Sequence, residues 1–151
     1  MNMEKAVMIA IVSLAVYTLA LGLVNLVVSP VQTESKISSG GAVKAIGVMV
    51  YSDAGGTNTM NSIDWGILEP GESKNATCFI RNEGNSALTV SLSTENWSPS
   101  NASLSITLNW DYDGQFIDPS EIIEVTFTLA VSASVSGITD FSFDIVIVGS
   151  G

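Results

Sequence analysis

The chain has 151 residues, of which 15 are acidic, 5 are basic and none is histidine, so its formal net charge at pH 7 is −10. This length suffices for one ordinary domain with an appendage, and not for two full domains. The negative charge excludes the basic surface that nucleic-acid binding requires, and the lack of histidine excludes Ser–His and Cys–His catalysis and most zinc sites.

The first predicted element is an apolar helix over residues 6–28, which contain no charged side chain. As an α-helix this run would be about 35 Å long, which exceeds the roughly 30 Å of a bilayer's hydrocarbon core. Pro30 ends the run, because proline cannot continue the helical hydrogen bonds and disfavours helix at the residue before it. The sequence therefore predicts a transmembrane helix in contact with the lipid bilayer, preceded by a short tail of residues 1–5.

The length of the apolar run also indicates whether this segment stays in the mature protein or is cleaved off as a secretory signal. A cleaved secretory signal has an apolar part of only about 7–15 residues before a small-residue cleavage site. Here the run is longer, and the candidate cleavage site at Ser29 is followed by Pro30, so we expect a retained anchor. The strongly acidic remainder fits an outside location better than a cytoplasmic one. The sequence predicts a single-pass protein of the cell membrane with an extracellular C-terminal domain.

Residues 29–42 follow the predicted anchor and contain the polar, small-residue-rich stretch PVQTESKISSGGA. A Gly-Gly pair and several Ser and Thr residues are typical of a connection without regular structure. We therefore expect a flexible linker over residues 29–42 and a folded domain over residues 43–151.

From residue 43 onward the hydrophobic pattern alternates with a period of two, as in strands that bury one face and expose the other. The spacing predicts an all-β fold, specifically an immunoglobulin-like antiparallel sandwich of about seven strands. Cys78 is the single cysteine, and its place in one of these strands predicts a small buried side chain, not a nucleophile. The predicted strands lie in KAIGVMVYSD, SIDWGI, SKNATCFIRN, ALTVSLST, ASLSITLNWDY, EIIEVTFTLAVS and ITDFSFDIVIVG.

Four stretches of this region occur in an order that resembles a known family. They are SIDWGILEPGESKNATCFIRNEGN, NWSP, WDYDGQ and GITDFSFDIVIVG. Together they are similar to a small immunoglobulin-like module of archaeal cell-surface proteins, and the likeness covers nearly all of the chain from Val43 onward. The resemblance implies a surface location and a sandwich fold behind a single membrane helix. It implies no activity and no catalytic residues.

The stretch WDYDGQFIDPSE places four acidic side chains within twelve residues, where they could bind an ion. Calcium prefers six to eight oxygen ligands around a loop with a sharply turning glycine. The candidate ligands are Asp111, Asp113, Asp118 and Glu121. The EF-hand spacing fails, however, because Ser120 stands where that loop has its glutamate. Asp113-Gly114 between alternating apolar runs favours a two-residue type I′ hairpin instead. The sequence thus predicts a structural turn, and a calcium-binding loop is the alternative interpretation of the same residues.

Three asparagines lie in sequences that fit the N-glycosylation pattern, namely Asn75, Asn96 and Asn101. A chain this rich in Asn, Ser and Thr produces such sequences by chance, so their position beyond the anchor is the stronger argument for glycosylation. Trp97, in the predicted loop ENWSPSN, is a candidate for stacking on carbohydrate, although most tryptophans of a sandwich pack in the core.

These patterns predict a structural, adhesive or binding protein and not an enzyme, because no second motif completes a catalytic group. The expected partner is an envelope protein or a glycan, and the oligomeric state is left open. The alternative is an archaeal type IV pilin-like subunit that polymerises through its N-terminal helix, since MNMEKA before an apolar run is similar to a pilin leader. The chain departs from that pattern at Ala6, where a glycine is usual, and lacks the expected glutamate near the start of the helix.

Overall fold

The computed structural model describes residues 37–151 of the chain. The predicted tail of residues 1–5 and the predicted transmembrane helix of residues 6–28 lie outside this part. Within residues 37–151, no helix has the length and apolar character that a membrane crossing requires.

Eight strands and one short 3-10 helix make up the described part of the chain. The predicted all-β class is therefore confirmed, and the strand count is one higher than expected. In chain order the elements are β1 (Ile37–Ile46), β2 (Val48–Tyr51), β3 (Ser62–Leu68), β4 (Ser73–Asn82), β5 (Thr89–Ser98), the 3-10 helix (Ser100–Leu104), β6 (Ile106–Trp110), β7 (Ile122–Val131) and β8 (Asp140–Ser150).

The strands form two four-stranded sheets. The first sheet has the order β3-β1-β8-β5, and the second sheet has the order β2-β4-β7-β6. All neighbouring strands are antiparallel except β1 and β8, which run parallel. Apolar side chains from both sheets belong to one buried cluster. This arrangement fits the predicted two-layer sandwich.

Strands β7 and β8 supply much of this core, and the alternation in their sequences determines which side chains face it. Every second residue of each strand is buried, because successive side chains of a strand point to opposite faces. The apolar side chains that alternate in the sequences of these two strands are the buried ones: Ile123, Val125, Phe127, Leu129 and Val131 of β7, and Phe141, Phe143, Ile145 and Ile147 of β8.

Strand β1 departs from the sequence prediction. It begins at Ile37, so residues 37–42 belong to the first sheet and not to the predicted linker of residues 29–42. Ile37 is fully buried. Gly41 is buried between Ile145 and Trp65, where a Cβ would be in ordinary van der Waals contact, whereas a Cβ on Gly40 would meet no atom within 4 Å. The backbone pairing with β3 and β8, and not a property of the glycines, therefore makes these residues a strand.

The first predicted strand, KAIGVMVYSD, is divided at Gly47. This glycine has φ +77°, a conformation that residues with a Cβ rarely adopt. The chain turns there from β1 in the first sheet to β2 in the second sheet. The division explains the eighth strand, and it ties the two sheets together along one side of the sandwich.

Candidate functional site

The acidic stretch forms the connection between β6 and β7, over residues 111–121. Its middle is fixed to the start of β5, because Ile117 N donates to Leu88 O at 2.8 Å and Leu88 N donates to Ile117 O at 3.1 Å. Ile117 is fully buried. The predicted two-residue hairpin is therefore wrong: the residues on either side of Asp113-Gly114 do not pair with each other. Gly114 does have a positive φ, of +88°, as a turn glycine requires.

Three of the four candidate calcium ligands accept hydrogen bonds from nearby backbone groups. Asp111 Oδ1 accepts from Thr126 N at 2.7 Å, and Asp113 Oδ1 accepts from Gln115 N at 3.2 Å. Glu121 Oε2 accepts from Asp118 N at 2.7 Å. Short acidic side chains commonly stabilise turns in this way. The structure thus gives these carboxylates a role in shaping the loop.

The same carboxylates are not assembled around a common point. In the part of the chain that the structure describes, no three Asp, Glu or Cys side chains lie together so that they could hold a metal ion. Asp111, Asp113, Asp118 and Glu121 therefore do not form a preorganised calcium site. Calcium binding through them stays a prediction that this geometry does not support.

The three candidate glycosylation sites are all exposed. Asn75 lies in β4 and Asn101 lies in the 3-10 helix. Asn96 lies in β5 and not in the predicted loop; its φ is +53°, and its Nδ2 donates to Asp144 Oδ2 at 2.7 Å. Exposure is a requirement for glycosylation, and all three asparagines meet it. Their occupancy stays a prediction.

Trp97 is half-buried and packs as a core aromatic. Its ring stacks on Phe143, with centroids 4.2 Å apart and planes 9° apart, and lies 6.2 Å from the ring of Phe141. The indole Nε1 donates to Thr94 Oγ1 at 3.2 Å. Because one ring face is covered by Phe143 and the ring nitrogen is engaged, this geometry favours a packing role over carbohydrate stacking.

Cys78 is fully buried, as its place in the alternating pattern predicts. Burial in apolar surroundings raises the pKa of its thiol to about 12, because the charged thiolate is poorly solvated there. At neutral pH the side chain is therefore a thiol, whereas nucleophilic attack requires the thiolate.

A polar cluster that sequence reasoning missed joins β2 to the end of β4. The guanidinium of Arg81 lies 5.0 Å from the centroid of the Tyr51 ring. Arg81 Nε donates to Glu83 Oε1 at 2.5 Å, and the Tyr51 hydroxyl donates to the same oxygen at 3.0 Å. The hydrogen bond from Arg81 lowers the pKa of the Glu83 carboxyl, while burial raises the pKa of the Tyr51 hydroxyl. These side chains line a groove along β2.

A second missed cluster lies on the outer face of the first sheet. Lys44 Nζ donates to Glu95 Oε1 at 3.2 Å and to Asp144 Oδ2 at 2.5 Å. Hydrogen bonds from Asn96 and then Lys44 lower the pKa of the Asp144 carboxyl. These residues lie on β1, β5 and β8, which are adjacent strands. These side chains meet because their strands are neighbours in the sheet. They are far apart in the sequence, so no local sequence pattern predicts the cluster.

The few basic side chains of the described part are all bound to other groups of the protein, which affects the charge of its surface. Residues 37–151 contain all the acidic side chains except Glu4 and Glu34, and all the basic ones except Lys5 and Lys36. Every basic side chain of this part is engaged. Lys44 and Arg81 pair with carboxylates, and Lys74 Nζ donates to the carbonyl oxygens of two β3 residues, Trp65 and Ile67. The domain therefore presents a predominantly negative surface.

Comparison with known proteins does not assign this chain to a family: no protein-family model matches it, and no curated protein matches it.

Proposed function

We propose that the chain is a single-pass membrane protein of the cell surface, anchored by residues 6–28, which displays residues 37–151 outside the cell in a structural, adhesive or binding role. The observation that carries the proposal is the contrast between an uncharged apolar run, long enough to span a bilayer, and a strongly acidic domain after it. The likeness to archaeal surface modules points the same way.

The strand order supports an immunoglobulin-like version of the sandwich. In the immunoglobulin fold one sheet has the order A-B-E-D, and in the other sheet strand F lies between C and G. The second sheet here, β2-β4-β7-β6, is antiparallel throughout and corresponds to A-B-E-D. In the first sheet β5 and β8 then correspond to C and F. Two strands depart from this order: β1, parallel to β8, occupies the position of strand G, and β3, which pairs with the other side of β1, has no counterpart.

A binding or structural role agrees with how the polar side chains are used. The carboxylates of residues 111–121 stabilise a loop, and the basic side chains of the described part hold strands together. An acidic surface of this kind attracts cationic groups and repels anionic ones. The proposed partner, an envelope protein or a glycan, would therefore be neutral or positively charged where it contacts the domain.

Insertion of residues 6–28 into the membrane can be tested with matched variants at the centre of the run. Leu19→Arg should release the protein from membranes during alkaline extraction, because a central arginine costs about 2.5–3.5 kcal/mol of insertion free energy. Leu19→Ala is the control and should stay in the membrane fraction. Equal behaviour of the two variants and the wild type would contradict the anchor.

The pilin-like filament subunit is the second candidate. One observation favours it: β1 begins at Ile37, so only residues 29–36 separate the predicted helix from the domain. A short connection suits subunits whose domains pack around a common core of helices. N-terminal sequencing of the native protein distinguishes the two. A start at Val7 would indicate removal of a pilin-like leader, whereas an intact Met1 would indicate the anchor.

A further inference from the structure

Three of the four outer sheet edges carry features that prevent further strand pairing. An unprotected edge offers a row of unpaired backbone groups to other chains, and proteins usually block it. Strand β2 is covered by the following loop, where Met60 N donates to Val50 O at 2.8 Å. On β3, Lys74 Nζ donates to the carbonyl oxygens of Trp65 and Ile67, at 3.1 and 2.5 Å. Strand β6 is only five residues long.

Strand β5 is the exception, since it is an edge strand of ten residues. Its start is covered: Leu88 pairs with Ile117, and Val90 N donates to the Tyr112 hydroxyl at 3.3 Å. Its end is irregular, with a register shift between Glu95 and Ser98. The residues between these two ends, 91–95, form what we call the open segment.

The backbone direction in the open segment follows from Val90. The N–H of Val90 points away from β8, because it reaches Tyr112. Since backbone groups of a strand alternate in direction, Leu92 and Thr94 also direct their N–H and C=O groups away from β8. Within residues 37–151 no hydrogen bond occupies these outward groups. Beneath them, Leu108 and Trp110 of β6 line a cleft along the same edge.

We propose that the open segments of two copies of this chain pair antiparallel around a two-fold axis at Ser93. Leu92 of each copy then lies opposite Thr94 of the other, and these two pairs form four backbone hydrogen bonds. The first sheets of the two copies join into one continuous sheet. The proposal concerns residues 37–151 alone, so it does not depend on the membrane anchor.

The register centred on Ser93 is the one that the free groups allow. Pairing Leu92 with Leu92 would place Val90 opposite Thr94, but the Val90 N–H is held by Tyr112. Pairing Thr94 with Thr94 would require Asn96, whose φ of +53° interrupts the extended backbone. The intermediate register uses the backbone groups of Leu92 and Thr94 only; it places Val90 opposite Asn96 of the other copy, and no hydrogen bond is required from either.

Charge does not prevent this pairing, although each copy is strongly negative. Glu95 is the one charged side chain of the open segment, and Lys44 Nζ lies 3.2 Å from its Oε1. In the proposed register Glu95 faces Ser91 of the other copy and not a second glutamate. Ser91 and Ser93, on the same outward face, are small and exposed, and Tyr112 covers the edge only at Val90, outside the open segment.

Cysteine substitutions in the full chain test the register, whichever cell fraction the protein is recovered from. Ser93→Cys should give a disulfide-linked dimer on mild oxidation, because directly opposite residues of a non-hydrogen-bonded pair have Cα atoms about 4.5 Å apart, within the range of a disulfide. Ser91→Cys is the matched control: it faces Glu95, and its two copies lie about 13 Å apart along the strands. The wild type controls for Cys78, which is buried.

A second pair of variants tests the same axis without oxidation. Ser93→Lys places two like charges opposite each other and should raise the dimer dissociation constant several-fold, whereas Ser91→Lys faces Glu95 and should not weaken the dimer. The proposal is overturned if Ser93→Cys stays monomeric under oxidation, if both cysteine variants link equally, or if both lysine variants dissociate alike.

Discussion

Replacing Ile37 with alanine tests whether β1 is part of the folded domain or part of a linker. Ile37 is fully buried, next to Leu68 of β3 across the strand pair. Truncating such an isoleucine typically lowers the free energy of unfolding by about 2–5 kcal/mol, from lost transfer free energy and the cavity that remains. With a urea m-value of about 2 kcal/mol/M, the unfolding midpoint should fall by at least about 1 M.

The control variant lies on the same strand. Ile46 is 59% exposed, so Ile46→Ala should change the free energy of unfolding by less than about 1 kcal/mol. Fluorescence of the three tryptophans reports urea unfolding of the full chain in detergent micelles. Equal midpoints for the two variants would refute the place of β1 in the first sheet and would restore residues 37–42 to the linker.

Three further predictions follow from the polar groups. Arg81 holds the pKa of Glu83 below its ordinary value, so the stabilisation from this contact is present above about pH 4.5 and is lost as pH falls through the lowered pKa. Glu83→Gln should therefore reduce the fall in Tm on the acid side of a plot of Tm against pH. An unchanged fall would contradict the pairing of Glu83 with Arg81. Cys78 should react with a thiol reagent only after unfolding, and labelling of the native protein at neutral pH would show that the thiol is accessible. Millimolar calcium should leave Tm unchanged, since no three carboxylates of residues 111–121 lie together so that they could hold an ion; a rise in Tm that Asp113→Asn abolishes would show that calcium binds there.

The strands that could be predicted are those whose side chains alternate strictly. β7 and β8 have large apolar residues at every second position, and those residues are the buried ones. The alternation can be recognised in the sequence because both strands expose one face to solvent, so polar side chains stand between the apolar ones. For such strands the sequence determines both the element and the face that it buries.

Other features could not be predicted, because they depend on contacts between distant residues. The start of β1 has the composition of a linker, and it becomes part of a sheet only through backbone pairing with β3 and β8, which lie far from it in the sequence. The connection over residues 111–121 has the residues of a hairpin, but the bridge from Ile117 to Leu88 holds it open. The clusters around Arg81 and Lys44 likewise depend on which strands become neighbours, and no local pattern encodes that order.

The most direct test of the proposed surface display is labelling of intact cells. Asn85 lies exposed in the connection between β4 and β5, so Asn85→Cys provides a reactive thiol, while buried Cys78 gives little background. A membrane-impermeant thiol reagent should label this variant as fully in intact cells as in lysed cells. Labelling only after lysis would place the domain inside the cell and would contradict the account.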